Sequence, residues 1–253
     1  MENTSIRKIA IYGKGGIGKS TTASNLSAAL AGKGYRVMQV GCDPKSDSTK
    51  NLMKGRRIPT VLEQIRAKGD EVTLKDIVFE GFGGVLCVES GGPTPGVGCA
   101  GRGIITAFEK LEELHAFEAY CPDIVIYDVL GDVVCGGFAM PIRGGYAKEV
   151  YIVSSGEMMS LYAAQNIAAA IHGFGKRGYA KLKGLILNAK NIENEENIVR
   201  EALKEIGTEL TQYIPRSQDI QNAETKGGTV FEMLEFSPMQ AVYNDLANKI
   251  LSA

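Results

Sequence analysis

Short apolar runs rich in β-branched residues alternate along the chain with longer segments of helical periodicity. The strand-like runs are residues 8–12, 36–40, 85–88, 124–127, 150–154 and 184–188. The main helical patterns are residues 21–33, 104–114, 161–174 and 195–206. Nearly continuous apolar strands are typical of a parallel sheet covered on both faces, and strand–helix alternation favours right-handed crossovers. The pattern therefore predicts an α/β fold with a doubly wound, mostly parallel sheet.

Two further segments complete the predicted organisation. Residues 69–84 have weak periodicity and are interpreted as a helix with a loop, whereas residues 239–251 present one apolar helical face that packs on the sheet. No linker or repeat interrupts the chain, so we expect one domain over residues 1–253. Ligands of such folds bind at the carboxyl ends of the strands.

Composition narrows the classes of function. The chain is 44% hydrophobic, which is enough for a sizeable core, and its net charge of −1 gives no broad basic field for nucleic acid. No apolar run approaches the roughly 18 residues that span a bilayer, and the polar first residues lack the apolar stretch of a signal peptide. We expect a cytoplasmic protein that binds neither nucleic acid nor membrane.

A phosphate-binding loop follows the first strand. The sequence GKGGIGKS at residues 13–20 fits G-x-x-x-x-G-K-[ST] and opens a helix. Backbone N–H groups near its glycines would converge on phosphate oxygens, Lys19 would reach the terminal phosphates, and Ser20 would bind Mg²⁺. The predicted nucleotide-binding residues here are Gly13, Gly15, Gly16, Gly18, Lys19, Ser20 and the adjacent Thr21.

Lys14 is a second lysine inside this loop. The form resembles the deviant Walker A loop of the SIMIBI-class P-loop NTPases. That resemblance implies that Lys14 reaches across a dimer to the nucleotide of the other subunit. Without it, Lys14 is interpreted as a solvated lysine near phosphate.

Acidic residues follow two of the predicted strands. Asp43 lies in GCDPKSDST, residues 41–49, and Asp128 opens DVLGD, which ends at Asp132. Asp128 is interpreted as the Walker B aspartate beside Mg²⁺, and Asp43 or Asp132 as the group that orients the attacking water. Only two residues separate Asp132 from Cys135, so a nucleotide-dependent shift would move whatever Cys135 ligates.

The cysteines favour an iron–sulfur site over disulfides or zinc. Five cysteines cannot form a closed set of disulfides, and the chain has two histidines and no C-x-x-C. Cys99 and Cys135 lie in glycine-rich loops and would supply half of a four-thiolate ligand set, with a second copy supplying the rest. The residues leave two alternatives open, namely two unrelated loop cysteines, or a single-chain cluster held by Cys87, Cys99, Cys121 and Cys135.

From about residue 8 to residue 224 the chain resembles the nitrogenase iron protein family. The resemblance rests on residues 12–22, 41–49, 87–93, 95–103 and 127–141, and continues at 153–159, 188 and 215–216. It implies a homodimer with one [4Fe-4S] cluster on the two-fold axis, ligated by Cys99 and Cys135 of each chain. It also implies that MgATP at both phosphate loops drives docking onto a nitrogenase-like partner and one-electron transfer.

The resemblance also assigns roles to single residues. Asn188, Pro215 and Arg216 fall where the adenine is held, and Arg102 stands at the partner-facing arginine, a site of regulatory ADP-ribosylation in some relatives. The positions of the nucleotide switch are Lys14, Lys19, Ser20, Asp43, Lys45, Asp128 and Asp132.

The sequence departs from the nitrogenase pattern at Ser217, where an aspartate is usual, and in a shorter carboxyl-terminal region. That compact form and the segment GRRIPTVL, residues 55–62, resemble the reductase of nickel-sirohydrochlorin a,c-diamide reductive cyclase in coenzyme F430 synthesis. The alternatives are the dinitrogenase reductase of nitrogen fixation, a MinD/ParA-like positioning ATPase without a redox centre, and a P-loop scaffold for cluster assembly. The positioning ATPase would need a basic tail or face, and the scaffold usually has a C-x-x-C.

Overall fold

The computed structural model describes residues 6–92, 100–131, 140–175 and 178–253. Its strands are β1 (Arg7–Tyr12), β2 (Val37–Gly41), β3 (Phe79–Glu80), β4 (Leu86–Glu89), β5 (Ile124–Asp128), β6 (Glu149–Ser154), β7 (Lys181–Asn188) and β8 (Leu210–Ile214). Its helices are α1 (Lys19–Gly32), α2 (Val61–Lys68), α3 (Leu74–Ile77), α4 (Ala100–Glu113), α5 (Ala116–Tyr120), α6 (Met140–Arg143), α7 (Met158–Gly175), α8 (Glu195–Ile206), α9 (Gln218–Thr225), α10 (Val230–Met233) and α11 (Pro238–Ser252).

The strands form one eight-stranded sheet in the order β3-β4-β2-β5-β1-β6-β7-β8. Every pairing is parallel except that of the short edge strand β3 with β4. From β1 the chain first builds the sheet toward β2, β4 and β3, and after β5 it builds the other half through β6, β7 and β8. This change of direction beside β1 is the arrangement of a doubly wound sheet. The predicted fold class is confirmed.

Helices cover both faces of this sheet. Each face of the sheet carries a hydrophobic core, and alternate residues of β1 point into one or the other. Ile9 and Ile11 pack with α1 and α11, whereas Ala10 and Tyr12 belong to the core that contains residues of α4, α7 and α8. Both sets are fully buried. This two-sided burial explains why the central strands are almost continuously apolar.

All six predicted strands and the four main predicted helices are present, and α8 has the predicted bounds. The prediction for residues 69–84 is only partly right. These residues form two 3₁₀ turns, the one-turn helix α3 and the strand β3. Thr73 and Asp76 form a capping box that starts α3, and the backbone turns with positive φ at Gly83 and Gly84, so no longer helix can form there.

The edge strand β8 was not predicted, because it has polar residues between its apolar ones and an exposed Tyr213. In the part of the chain that the structure describes, no helix combines the length and apolar character needed to cross a bilayer. The site below lies at the carboxyl ends of β1, β2, β5, β6 and β7.

Candidate nucleotide site

The loop between β1 and α1 is held by its neighbours in a compact turn. Gly18 precedes α1 in the left-handed region, with φ of 96°, and the Asn188 amide lies where a Cβ on Gly18 would be. The same amide donates to the carbonyl of Ile17 at 2.8 Å. A larger residue at position 18 would therefore strain the backbone and displace Asn188.

A cavity of about 320 Å³ opens in front of this loop. It is lined by Gly15, Gly16, Gly18, Lys19, Ser20, Thr21, Asp43, Lys45, Asp47, Asp128, Val129 and Leu130. The structure therefore brings the phosphate loop, the Asp43 loop and the end of β5 to one place. Backbone N–H groups at a helix N-terminus, with lysines and carboxylates around them, suit a magnesium-bound polyphosphate.

Asp128 is buried at the bottom of this cavity, with 3% of its surface exposed. Burial raises the pKa of its carboxyl, whereas hydrogen bonds from the hydroxyls of Ser20 and Ser48 and the charge of Lys19 lower it. Ser20 and Asp128 thus already share a hydrogen bond at the position where Mg²⁺ is expected. The Lys19 ammonium donates to the carbonyl of Lys14 at 3.1 Å.

The remaining predicted switch residues are only partly brought together. The Asp43 carboxylate lines the cavity and accepts a hydrogen bond from the backbone N–H of Lys45 at 2.9 Å. Lys14 is half-buried in the loop and does not line the cavity among the described residues. Asp132 lies outside the described residues. Its neighbour Gly131 touches the phosphate loop, since a Cβ there would lie 2.0 Å from the carbonyl oxygen of Gly13.

A second cavity of about 230 Å³ adjoins the first and shares Gly16, Gly18 and Thr21 with it. Its other lining residues are Asn188, Ala189, Lys190, Pro215, Arg216, Ser217, Ile220, Gln221 and Glu224. The three residues predicted to hold the adenine therefore line one cavity beside the phosphate loop. The two cavities have the relation expected of the phosphate and base sides of one nucleotide. We therefore call the first cavity the phosphate side and the second cavity the base side.

Sequence reasoning missed Glu224 on the base side. Its carboxylate accepts hydrogen bonds from the Thr21 hydroxyl and, at 3.1 Å, from the side-chain amide of Asn51. It thereby connects α9 to α1 and to the segment after β2. The sequence predicts no helix over this segment, and a lone acidic residue is ordinary on a solvated surface.

Glu89 is a second missed carboxyl, below the phosphate side. It is 1% exposed at the end of β4, and its Oε1 accepts from the backbone N–H and the hydroxyl of Thr49, both at 2.7 Å. Its Oε2 is buried without a hydrogen-bond partner among the described residues. Burial, aided by the nearby charges of Asp128 and Asp47, raises the pKa of Glu89 to about 8.

Cys99 and Cys135 lie outside the described residues. The segments that contain them start from the carboxyl ends of β4 and β5, the two strands that flank β2. The phosphate cavity opens at the same carboxyl-terminal edge of the sheet, and Cys99 immediately precedes α4 in the sequence. Thiolates of both loops from two copies would form the four-thiolate set that suits a [4Fe-4S] cluster.

The other two cysteines of the single-chain alternative are not brought together. Cys87 is buried inside β4, where burial strongly raises the pKa of its thiol. Cys121 is exposed before β5, at the opposite edge of the sheet. Within the described ranges no three His, Cys, Asp or Glu side chains form a group that could hold a metal ion. A cluster that uses both Cys87 and Cys121 is therefore incompatible with this fold.

Known proteins that are similar to this chain identify its family. Residues 7–253 match the family model of the 4Fe-4S iron sulfur cluster binding proteins, NifH/frxC family. The chain belongs to this family. It is also similar to the nitrogenase iron protein of Methanospirillum hungatei, with 56% identity over 250 residues that cover 98% of this chain and 88% of that protein. The predicted resemblance to the nitrogenase iron protein family is confirmed.

Solved structures of a cell division ATPase and a ParA family ATPase share the fold of this NifH/frxC family member. The cell division ATPase MinD of Pyrococcus furiosus has a TM-score of 0.75 at 19% identity, covering 98% of this chain and 99% of that one. A ParA family ATPase from Chlorobium tepidum has a TM-score of 0.72 at 21% identity, covering 96% and 99%. At these identities the likeness concerns the fold alone, and it agrees with the predicted SIMIBI-class P-loop fold.

Proposed function

We propose that this chain is an ATP-hydrolysing reductase that works as a cytoplasmic homodimer. The dimer holds one [4Fe-4S] cluster between its two copies and passes single electrons to a nitrogenase-like partner complex. The observation that carries the proposal is the family match, which spans the phosphate loop and both glycine-rich cysteine loops. The two adjoining cavities support the nucleotide part.

On the phosphate side, Lys19 neutralises the terminal phosphates and Ser20 and Asp128 hold Mg²⁺. Asp43 or Asp132 orients the attacking water, and Lys14 reaches the nucleotide of the second copy. The existing hydrogen bond between Ser20 and Asp128 supports this assignment, because both groups already face one point.

Cys99 and Cys135 of each copy would hold the cluster, which when bound supplies a one-electron redox centre. Val129 and Leu130 line the phosphate cavity, and Gly131 touches the phosphate loop. The described backbone up to Gly131, four residues before Cys135, is thus in contact with the nucleotide site. This contact supports a coupling in which loss of the terminal phosphate moves the Cys135 loop.

Iron content tests the cluster assignment. The chain purified without oxygen should be a dimer with about four iron atoms per dimer. Cys99→Ala and Cys135→Ala should each lose the iron, and Cys121→Ala, which removes the exposed thiol at the opposite edge, should keep it. Full retention of iron in both loop variants, or a monomeric iron-free wild type, would refute the assignment.

For the electron acceptor we propose a nickel tetrapyrrole of coenzyme F430 synthesis, the substrate of nickel-sirohydrochlorin a,c-diamide reductive cyclase. Residues 55–62 support it by resemblance, and Arg56 and Arg57 in this segment are exposed. The alternative, dinitrogenase reductase, is favoured by the name of the relative from Methanospirillum hungatei. Partners captured from the native host with MgATP distinguish the two: a tetrapyrrole-binding complex supports the first acceptor, and a dinitrogenase contradicts it.

The positioning ATPase is the rival from a different class. In this fold the helix α11 buries Tyr243, Leu246 and Ile250 in the core. Lys249 on that helix pairs with Asp245 and donates to Gln212. The apolar face of α11 is therefore used inside this chain and is not free to bind a membrane, so this helix gives the positioning ATPase no support.

A further inference from the structure

Glu195 is a buried carboxylate that the assignments above do not use. It is the first residue of α8 and is 5% exposed. Its Oε1 accepts from the backbone N–H groups of Gly156 at 2.8 Å and Lys190 at 3.1 Å. Its Oε2 accepts from the N–H groups of Lys190 at 2.9 Å and Ile192 at 3.2 Å. A single carboxylate therefore satisfies three backbone donors.

These donors belong to two different loops. Gly156 follows β6, whereas Lys190 and Ile192 follow β7. The approach is close, because a Cβ on Gly156 would lie 2.6 Å from the Cγ of Glu195. Glu195 consequently fixes the distance between the two loops as well as their hydrogen bonds.

Both loops continue from strand ends that touch the phosphate loop. The carbonyl oxygen of Val153, near the end of β6, lies against Gly13. Asn188, the last residue of β7, bonds the carbonyl of Ile17. Ala189 and Lys190, next along the chain, form one wall of the base-side cavity.

We propose that Glu195 is a positioning residue that preforms the base side of the nucleotide site. It holds the backbone at Lys190 so that Ala189 and Lys190 face the nucleoside before any nucleotide arrives. Preformed walls strengthen binding because the loop does not have to be ordered on association. The inference rests on the proposed nucleotide binding, but it requires neither the cluster nor electron transfer.

The isosteric variant Glu195→Gln removes the charge and one acceptor atom. Because both carboxylate oxygens accept backbone N–H groups, the new NH₂ group must face a donor whichever way the amide turns. Glu196→Gln is the matched control. Its carboxylate is exposed on the same helix turn and pairs with Arg200.

Calorimetric titrations of the holoprotein with MgATP and with magnesium tripolyphosphate test the inference. Tripolyphosphate reaches the phosphate side alone. We expect Glu195→Gln to weaken MgATP binding about tenfold, the effect of one or two lost hydrogen bonds, and to leave tripolyphosphate binding within about twofold. Glu196→Gln should bind both as the wild type does.

Gly156→Ala is a second variant that displaces Glu195 from the other side, and it should give the same selective loss if Glu195→Gln fails to fold. Wild-type affinity for MgATP in folded Glu195→Gln, or an equal loss of both ligands in the folded variants, would overturn the inference. A wild type that binds neither ligand would refute the nucleotide site itself, which is a distinguishable result.

Discussion

The phosphate side and the base side of the nucleotide site differ in how the chain builds them. The phosphate side comes from one contiguous loop and the ends of β2 and β5. The base side comes from segments after β7 and β8 and from α9, and its contact between Thr21 and Glu224 joins residues 203 positions apart. The phosphate side therefore depends mainly on one contiguous motif, whereas the base side depends on how distant elements pack.

The largest effect is expected on the phosphate side. Lys19→Ala should weaken MgATP binding by about 100-fold or more, because the variant loses the ammonium that neutralises the terminal phosphates. The iron content should be unchanged. Calorimetry measures the affinity, and Lys33→Ala, at the exposed far end of α1, is the control. Tight MgATP binding by the Lys19 variant would show that the phosphate side has been assigned wrongly.

A smaller effect is expected from the buried carboxyl below the phosphate side. Burial raises the pKa of Glu89 from 4.5 to about 8, so the folded state keeps its proton in a range where the unfolded state has lost it. Stability from this group is fully present below about pH 4.5 and is lost as the pH rises through 8.

Glu89→Gln keeps an acceptor for Thr49 and removes this titration. The free energy of unfolding of the variant relative to the wild type should therefore rise between pH 5 and pH 8, by on the order of 2 kcal/mol. Urea unfolding at several pH values under argon measures the difference. A difference that does not change with pH would contradict the raised pKa.

The smallest effect is expected where the two sides meet. Asn188→Ala removes the 2.8 Å hydrogen bond to Ile17, whose typical worth is about 1 kcal/mol. MgATP affinity should fall about threefold to tenfold, and tripolyphosphate affinity should fall as well, because Ile17 belongs to the phosphate loop. Equal titrations of Asn188→Ala and the wild type would show that the two sides are independent.

The same contrast explains what the sequence could predict. The phosphate loop, Asp43 and Asp128 can be predicted because each motif is short, contiguous and placed after an apolar strand. Glu89, Glu195 and Glu224 had no such signal, since a glutamate near a strand end or on a helix is ordinary when its burial is unknown. Asn188, Pro215 and Arg216 were found only through the family resemblance, because their proximity to the phosphate loop depends on the tertiary packing of β7 and β8.

The same reasoning applies to the elements. Central strands such as β5 were predicted because burial on both faces makes them continuously apolar. The edge strands β3 and β8 were missed because exposure on one side permits polar residues there. The single-domain prediction for residues 1–253 stays a prediction.

The central claim is that nucleotide binding alters the surroundings of a cluster held by Cys99 and Cys135. The most direct test is the rate at which an iron chelator removes iron from the oxygen-free dimer, with and without MgATP, in the wild type and in Lys19→Ala. The account predicts that MgATP changes this rate at least about tenfold in the wild type and not in the variant, because Gly131, four residues before Cys135, touches the phosphate loop. A wild-type rate that is the same with and without saturating MgATP would contradict it.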